Sequence, residues 1–143
     1  MTSLVVDASI AVKWAVTEPG SHEARRLLGA DEHLVVPDLF FVELASVLWK
    51  RARRGDLSAD EARAALGELN RVTVEVQPAQ PLVPLAFEIA LRLGCSVYDA
   101  LYLATAVSRD CRLVTADRRL CTLAAANALG AHVLWVGDIA EPT

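Results

Sequence analysis

Histidine and cysteine, the residues that build most zinc sites, are scarce, with three of each in the chain. His22, His33 and His132 stand singly, and Cys95, Cys111 and Cys121 show no Cys-x-x-Cys spacing, which speaks against a zinc module. An odd, scattered set also speaks against a disulfide scaffold, so the expectation is free, buried thiols in a reducing cytosol. No apolar run approaches the roughly 18 uncharged residues of a membrane span. The N-terminus lacks a charged leader, an apolar h-region and a small-residue cleavage site, so no signal peptide is expected and the location implied is cytoplasmic. Nor is there an excess of positive charge: 14 Lys and Arg against 18 Asp and Glu leave a net charge of −4. Attraction to nucleic acid therefore has to be local.

What is there is apolar and regularly punctuated. The hydrophobic share of 54% exceeds the soluble average of about 45–50% and argues for a compact core. At 143 residues the chain is read as one domain, 1–143, able to bury about two-thirds of its unfolded surface. No internal repeat, low-complexity tract or linker interrupts it.

The organising stretch is Leu4-Val5-Val6-Asp7-Ala8-Ser9, a short apolar strand ending in a carboxylate. Buried strands of parallel sheets read as continuous apolar runs, and ligands bind beyond their carboxyl ends. Ile10 to Val16 opens a helix that Thr17-Glu18-Pro19-Gly20 breaks. Ser21 reads as the N-cap of a short helix, and Leu34-Val35-Val36 as a second strand stopped by Pro37. Asp38 reads as the cap of a helix whose stripe is Phe40, Leu44, Val47 and Leu48, ending in Lys50 to Arg54 before Gly55. Ser58 and Glu61 form a capping box opening a helix through about Asn70, and Val72 to Val76 alternates as a third strand.

Pro78, Pro81 and Pro84 mark a loop and first turn, then Leu85 to Leu93 is helical up to Gly94. Ser96 caps a helix carrying Asp99, Leu101, Tyr102, Ala104 and Thr105. Leu113-Val114-Thr115 is a fourth strand, Leu120 to Leu129 a helix, Val133 to Val136 a fifth strand, and Asp138 to Thr143 a polar tail. Strands alternating with helices imply an α/β domain: a central parallel sheet of about five strands flanked by helices in three layers.

Four acids stand out. Glu43 sits between Val42 and Leu44 at the edge of an apolar helical face, where an unpaired carboxylate is costly; a core ion pair is the alternative. Asp99 has apolar and aromatic neighbours, yet also suits a first helical turn. Asp7 and Asp117 each follow a strand, so both lie on the sheet's carboxyl edge, although each also suits a turn or an N-cap. If the four converge, their repulsion needs a cation. Oxygen ligands without histidine or cysteine point to Mg²⁺ or Mn²⁺ and to phosphoryl chemistry. Asp38 and Asp138 have sufficient local roles as cap and tail residue.

Val6-Asp7-Ala8-Ser9, Pro37 through Glu43, Tyr98-Asp99-Ala100-Leu101-Tyr102-Leu103-Ala104 and Val114-Thr115-Ala116-Asp117-Arg118-Arg119-Leu120 together resemble the four acidic motifs of the PIN-domain nucleases, in particular the VapC toxins of bacterial type II toxin–antitoxin pairs. The resemblance spans nearly the whole chain. It implies a PIN-like fold and a magnesium-dependent endoribonuclease, Mn²⁺ being able to substitute. Asp7, Glu43, Asp99 and Asp117 are its catalytic and metal-binding cluster, with Asp7 and Asp99 the firmest ligands. Ser9 and Thr115 resemble polar positions that support the acids. Ser46 departs from the pattern, since many relatives carry asparagine three residues after the glutamate. The implied partners are an RNA substrate, a VapB-like antitoxin, a second copy in a homodimer, and operator DNA held only through the antitoxin, with no membrane.

The basic cluster Lys50 to Arg54 reads as a solvated helix end or as a local guide for the RNA backbone. A receiver-type signalling domain would need a lysine after a late strand, and the only lysines are Lys13 and Lys50. A haloacid-dehalogenase phosphatase would need aspartate where Ser9 stands. A non-catalytic PIN module that acts by binding a partner is the remaining alternative, and the presence of all four acids counts against it.

Overall fold

The computed structural model describes residues 2–29 and 31–141. Five strands form one sheet: β1 (Thr2–Val6), β2 (Glu32–Pro37), β3 (Glu75–Gln77), β4 (Arg112–Thr115) and β5 (Val133–Trp135). Every neighbouring pair is parallel, in the order β3-β2-β1-β4-β5. Val5 is central, in register with Val35 on one side and Leu113 on the other. The three inner strands are the continuous apolar runs of the sequence, and Val5, Val6, Val35, Val36, Leu113 and Val114 are fully buried. Burial on both faces explains why those runs do not alternate.

The order carries the functional consequence. From β1 the chain builds outward through β2 and β3, then crosses back to the other side of β1 for β4 and β5. Such a reversal opens a crevice at the carboxyl ends of the two strands that flank it. Here those strands are β1 and β4.

Seven α-helices surround the sheet among the described residues. The helices α1 (Ala8–Ala15), α2 (Ser21–Gly29), α3 (Phe40–Arg53) and α4 (Ala59–Leu69) pack largely on one another. A second pair, α5 (Val83–Leu93) and α6 (Val97–Ser108), is closely packed, and α6 also lies against β1, β2 and β4. Residues Ala100 through Ala106 of α6 are all buried. A helix apolar all round belongs in the core, and this one carries Asp99 at its exposed start. The last helix, α7 (Arg118–Ala126), packs on β5. No single helix among the described residues is long and apolar enough to cross a membrane.

The expected start and stop signals mostly stand. Ser58 and Glu61 close a reciprocal capping box, and Ser96 accepts from the Asp99 amide. Gly94 ends α5 with φ of 72°, a left-handed conformation that favours glycine. Asp38 is a correction: Leu39 is the N-cap of α3 without a side-chain bond, and the Asp38 carboxylate accepts instead from the Ala79 amide across the chain. Ser21 is another, because its hydroxyl accepts from the Glu18 amide and donates to the Val16 carbonyl, fastening the turn before α2.

The third strand is shorter and later than its alternation predicts. Arg71 and Val72 still donate backbone bonds to the last turn of α4, so pairing begins only at Glu75. The final helix stops at Ala126 instead of Leu129, because Ala128 adopts φ of 64° and the Leu129 amide folds back to the Ala124 carbonyl. The tail is not purely polar overhang: residues 136–138 form a 3₁₀ turn, and the Ile139 carbonyl accepts from Arg26. Pro142 and Thr143 lie outside the described residues. The three cysteines are free, as expected, but partly exposed instead of buried.

Candidate active site

Asp7 follows β1 directly and is the N-cap of α1, its Oδ1 accepting from the Ile10 amide at 3.2 Å. The Ser9 hydroxyl donates to that same oxygen at 2.5 Å and accepts from the Ala116 amide at 3.4 Å. One serine thus ties the end of β1 to the residue after β4, across the crevice. Asp117, two residues beyond β4, caps α7 in the same manner, with Oδ1 accepting from the Leu120 amide at 3.1 Å. Its own amide donates to the fully buried Thr115 hydroxyl. Turn residue and site residue, which the sequence set as alternatives, are therefore compatible at both positions. The bonds at each cap fall on Oδ1.

Glu43 lies in the first turn of α3, which follows β2 and so starts at the same sheet edge. Phe40, Leu44 and Leu48 bury the helix's inner face and leave Glu43 half-buried beside it. Asp99 lies in the first turn of α6, also half-buried. The placement of α6 against β1 and β2 is what brings Asp99 to this edge, a step that sequence spacing supported least.

The carboxyls sense one another. Burial pushes Asp7 above its ordinary value, against hydrogen bonds from Ser9, Thr115 and Ile10, and the nearby charge of Asp99 adds to the rise. Glu43 is raised by burial and by the charges of Asp99 and Asp7; Tyr102 and Lys50 oppose this. Asp99 is raised by burial and by Asp117, with Ser96 opposing. Asp7, Glu43 and Asp99 thus lie near enough to disfavour one another's charge, and Asp117 adds to this at Asp99. Among the described residues none of the four makes a salt bridge.

A scan of the family models matches residues 4–126 to the PIN domain. The chain belongs to the PIN-domain family. It is 40% identical over 119 residues to Ribonuclease VapC3 of Pyrobaculum aerophilum, a match covering 82% of this chain and 91% of the relative. In solved structures, the fold resembles PAE2754 from Pyrobaculum aerophilum, with a TM-score of 0.70 and 25% identity, covering 95% of this chain and 85% of the other. VapBC2 from Rickettsia felis, bound to a DNA fragment from its promoter, shares the fold at a TM-score of 0.65 and 11% identity, over 94% and 98% of the two chains.

In this PIN domain the donor set suits a hard divalent cation. It is carboxylate oxygen only and mutually repulsive, with Asp7, Glu43 and Asp99 partly buried and Asp117 exposed, the combination that oxygen-ligated Mg²⁺ or Mn²⁺ relieves. Among the described residues, no three Asp, Glu, His or Cys side chains as placed are gathered closely enough to hold an ion. The case for a cation rests on donor chemistry and charge.

Beside Glu43 runs an open groove of about 430 Å³, walled by Leu39, Val42, Ser46, Val47, Lys50 and Tyr98. Ser46, the departure from the family pattern, is one turn beyond Glu43 on this wall. A second cavity of about 460 Å³ lies at the other end of the strands, around Glu32 and Arg112, away from all four acids. The basic cluster divides. Lys50 opens on the groove, Arg53 sits over the Trp49 ring and Arg54 pairs with Asp56. Arg51 turns inward to Glu18 at 2.7 Å, a role its place in a charge run did not reveal. Sequence reading also passed over Tyr102 as a core residue; its hydroxyl faces the acids.

Proposed function

We propose that this chain is a magnesium-dependent endoribonuclease, the VapC-like toxin of a type II toxin–antitoxin pair, acting as one PIN domain over residues 1–143. The observation that carries the reading is the PIN-domain match over residues 4–126, with Asp7, Glu43, Asp99 and Asp117 at strand ends and helix starts and no salt bridge to any of them among the described residues. These four would hold Mg²⁺, or Mn²⁺ in its place. When bound, such an ion supplies charge that stabilises phosphoryl oxygens and makes a water more acidic.

The chain's own contribution is placement. Ser9 and the Ile10 amide fix one oxygen of Asp7, and the cap of α7 fixes one oxygen of Asp117. Both acids are thereby held on rigid strand ends, which limits the reorganisation needed as charge develops. Asp99 and Glu43 enter from helix starts and close the other sides. The Glu43 carboxylate, at the mouth of the groove, orients the attacking water in line with an RNA phosphodiester. Lys50 offers the groove's positive charge to the RNA backbone, a local attraction in a chain of net charge −4.

The partners follow from the same reading: a VapB-like antitoxin, operator DNA reached through it, and a second copy of the chain in a homodimer. The Rickettsia VapBC2 structure with promoter DNA supports the first two. For the homodimer, Val83, Phe87 and Leu91 form an exposed apolar stripe along α5, each about half or more exposed, at the four-residue spacing of a single helical face. RNA as substrate places the reaction in the cytoplasm.

The test is to incubate the chain with cellular RNA, with Mg²⁺ or with a chelator, and map the new ends. Internal cuts are expected only with the metal, and coexpression with the small neighbouring gene product should suppress them. Full cleavage by both Asp7→Asn and Asp99→Asn would falsify the four-acid site. Metal binding without any cleavage would favour the non-catalytic binding module.

A further inference from the structure

Tyr102 stands one turn beyond Asp99 on α6, and a spacing of three puts both side chains on one helical face. It is only 2% exposed and among the largest fully buried side chains. Its hydroxyl is sealed from solvent without a hydrogen-bond partner among the described residues. A phenylalanine would fill the same core space without that cost, since a buried unsatisfied hydroxyl costs about 1–3 kcal/mol.

The surroundings show what the hydroxyl faces. Among the carboxylates Glu43 acts on it most strongly, followed by Asp7 and Asp99. A phenol keeps its proton at neutral pH, so the buried hydroxyl is a hydrogen-bond donor close to these acids. Like Asp99, Glu43 lacks the pair of fixed donors that Asp7 has. Asp7 accepts from Ser9 and Ile10, and Asp117 from Leu120, whereas among the described residues Tyr102 is the group whose hydrogen bonding pulls the Glu43 carboxyl down, as Ser96 does for Asp99. It approaches Glu43 closely enough to act on it but stops short of hydrogen-bond geometry.

We propose that Tyr102 is the positioning residue for Glu43: its O–H clamps one Glu43 oxygen when the acids take up their cation, so that the other oxygen faces the site. This rests on the four-acid reading above. Glutamate has the longest and freest side chain of the set, and holding it in one rotamer costs entropy. A buried donor with no alternative partner offsets that cost. Hydrogen bonds of this kind, made behind a metal ligand, are typically worth about 10–100-fold in metal affinity or activity.

The probe is Mn²⁺ alone, titrated calorimetrically into the wild-type chain, Tyr102→Phe, Glu43→Ala and the double variant, with thermal melts of each. Tyr102→Phe should melt no lower than wild type without metal, because it removes an unpaired hydroxyl. It should bind Mn²⁺ about tenfold more weakly, and lower kcat for RNA cleavage more than it changes KM. In the Glu43→Ala background the same substitution should cost nothing further. Unchanged Mn²⁺ affinity in Tyr102→Phe, or equal losses in both backgrounds, overturns the positioning role while leaving the four-acid site standing. A wild-type chain that binds no Mn²⁺ overturns the site itself, and this role with it.

Discussion

Two groups of acids in this small fold solve the problem of partial burial in opposite ways. Glu18, in the turn before α2, holds Lys13 at 3.1 Å with one oxygen and Arg51 at 2.7 Å with the other. Burial raises its carboxyl, but the bonds from Arg51 and Lys13 outweigh it and leave Glu18 below its ordinary value. Asp7, Glu43 and Asp99 have hydroxyls, amides and one another for company, and all three lie above theirs. The same residue chemistry is thus settled where ion pairs form and left strained where they do not. Perturbed acids near one sheet edge, unlike a satisfied ion triad, are candidates for a functional site.

Neutralising one acid of each group separates the two most sharply. Asp99→Asn should lower RNA cleavage by more than about a hundredfold, exceeding the cost of losing a mere supporting contact, while raising the metal-free melting temperature by relieving repulsion. A fall in that temperature would show Asp99 to be paired like Glu18, erasing the contrast. Glu18→Gln should do the reverse. It should cost about 2 kcal/mol in urea unfolding by weakening charged hydrogen bonds and leave cleavage intact.

Acid titration sharpens the comparison further. Because the folded-state carboxyl of Glu18 is depressed, its contribution to stability is present above the ordinary value of 4.5 and is lost as pH falls through the folded value. The gap in stability between wild type and Glu18→Gln should therefore close below about pH 4.5, measured by urea melts across the acid range. A gap that persists at full size in acid would mean that packing, not charge, holds the triad.

Smaller effects probe the support beneath the crevice. Ser9→Ala removes both the donor to Asp7 and the acceptor for Ala116, and should cost about 1 kcal/mol of stability with about a tenfold loss of cleavage. Wild-type kinetics would remove Ser9 from the machinery. Lys50→Ala should change least, flattening the salt dependence of RNA binding by about 0.7 in logarithmic slope. No change in slope would place Lys50 outside the RNA path.

Much of this was legible in the chain because the signals are local. Apolar runs gave the inner strands, Ser58 with Glu61 gave a cap, and Gly94 gave a helix end. Elsewhere a residue's partner lay far along the sequence, and local reading failed. Asp38 carries a good capping signature, but Ala79 claims it. Arg51 sits in a solvated-looking run, but Glu18, 33 positions earlier, turns it inward. Tyr102 looks like core by spacing and is core by burial; only its hydroxyl's surroundings distinguish it from phenylalanine.

The sequence by itself determined that the chain makes an α/β fold and that its acids follow strands or begin helices, since hydrophobic period and capping act over a few residues. Only the tertiary structure decided that β4 returns beside β1, opening the crevice between Asp7 and Asp117, and that α6 crosses the inner strands to bring Asp99 and Tyr102 to the same edge. Strand order and helix placement are set by which apolar faces bury together across the whole chain. That condition leaves no mark at the spacing of neighbouring residues, yet it is what brings four separate carboxylates to one edge of the sheet.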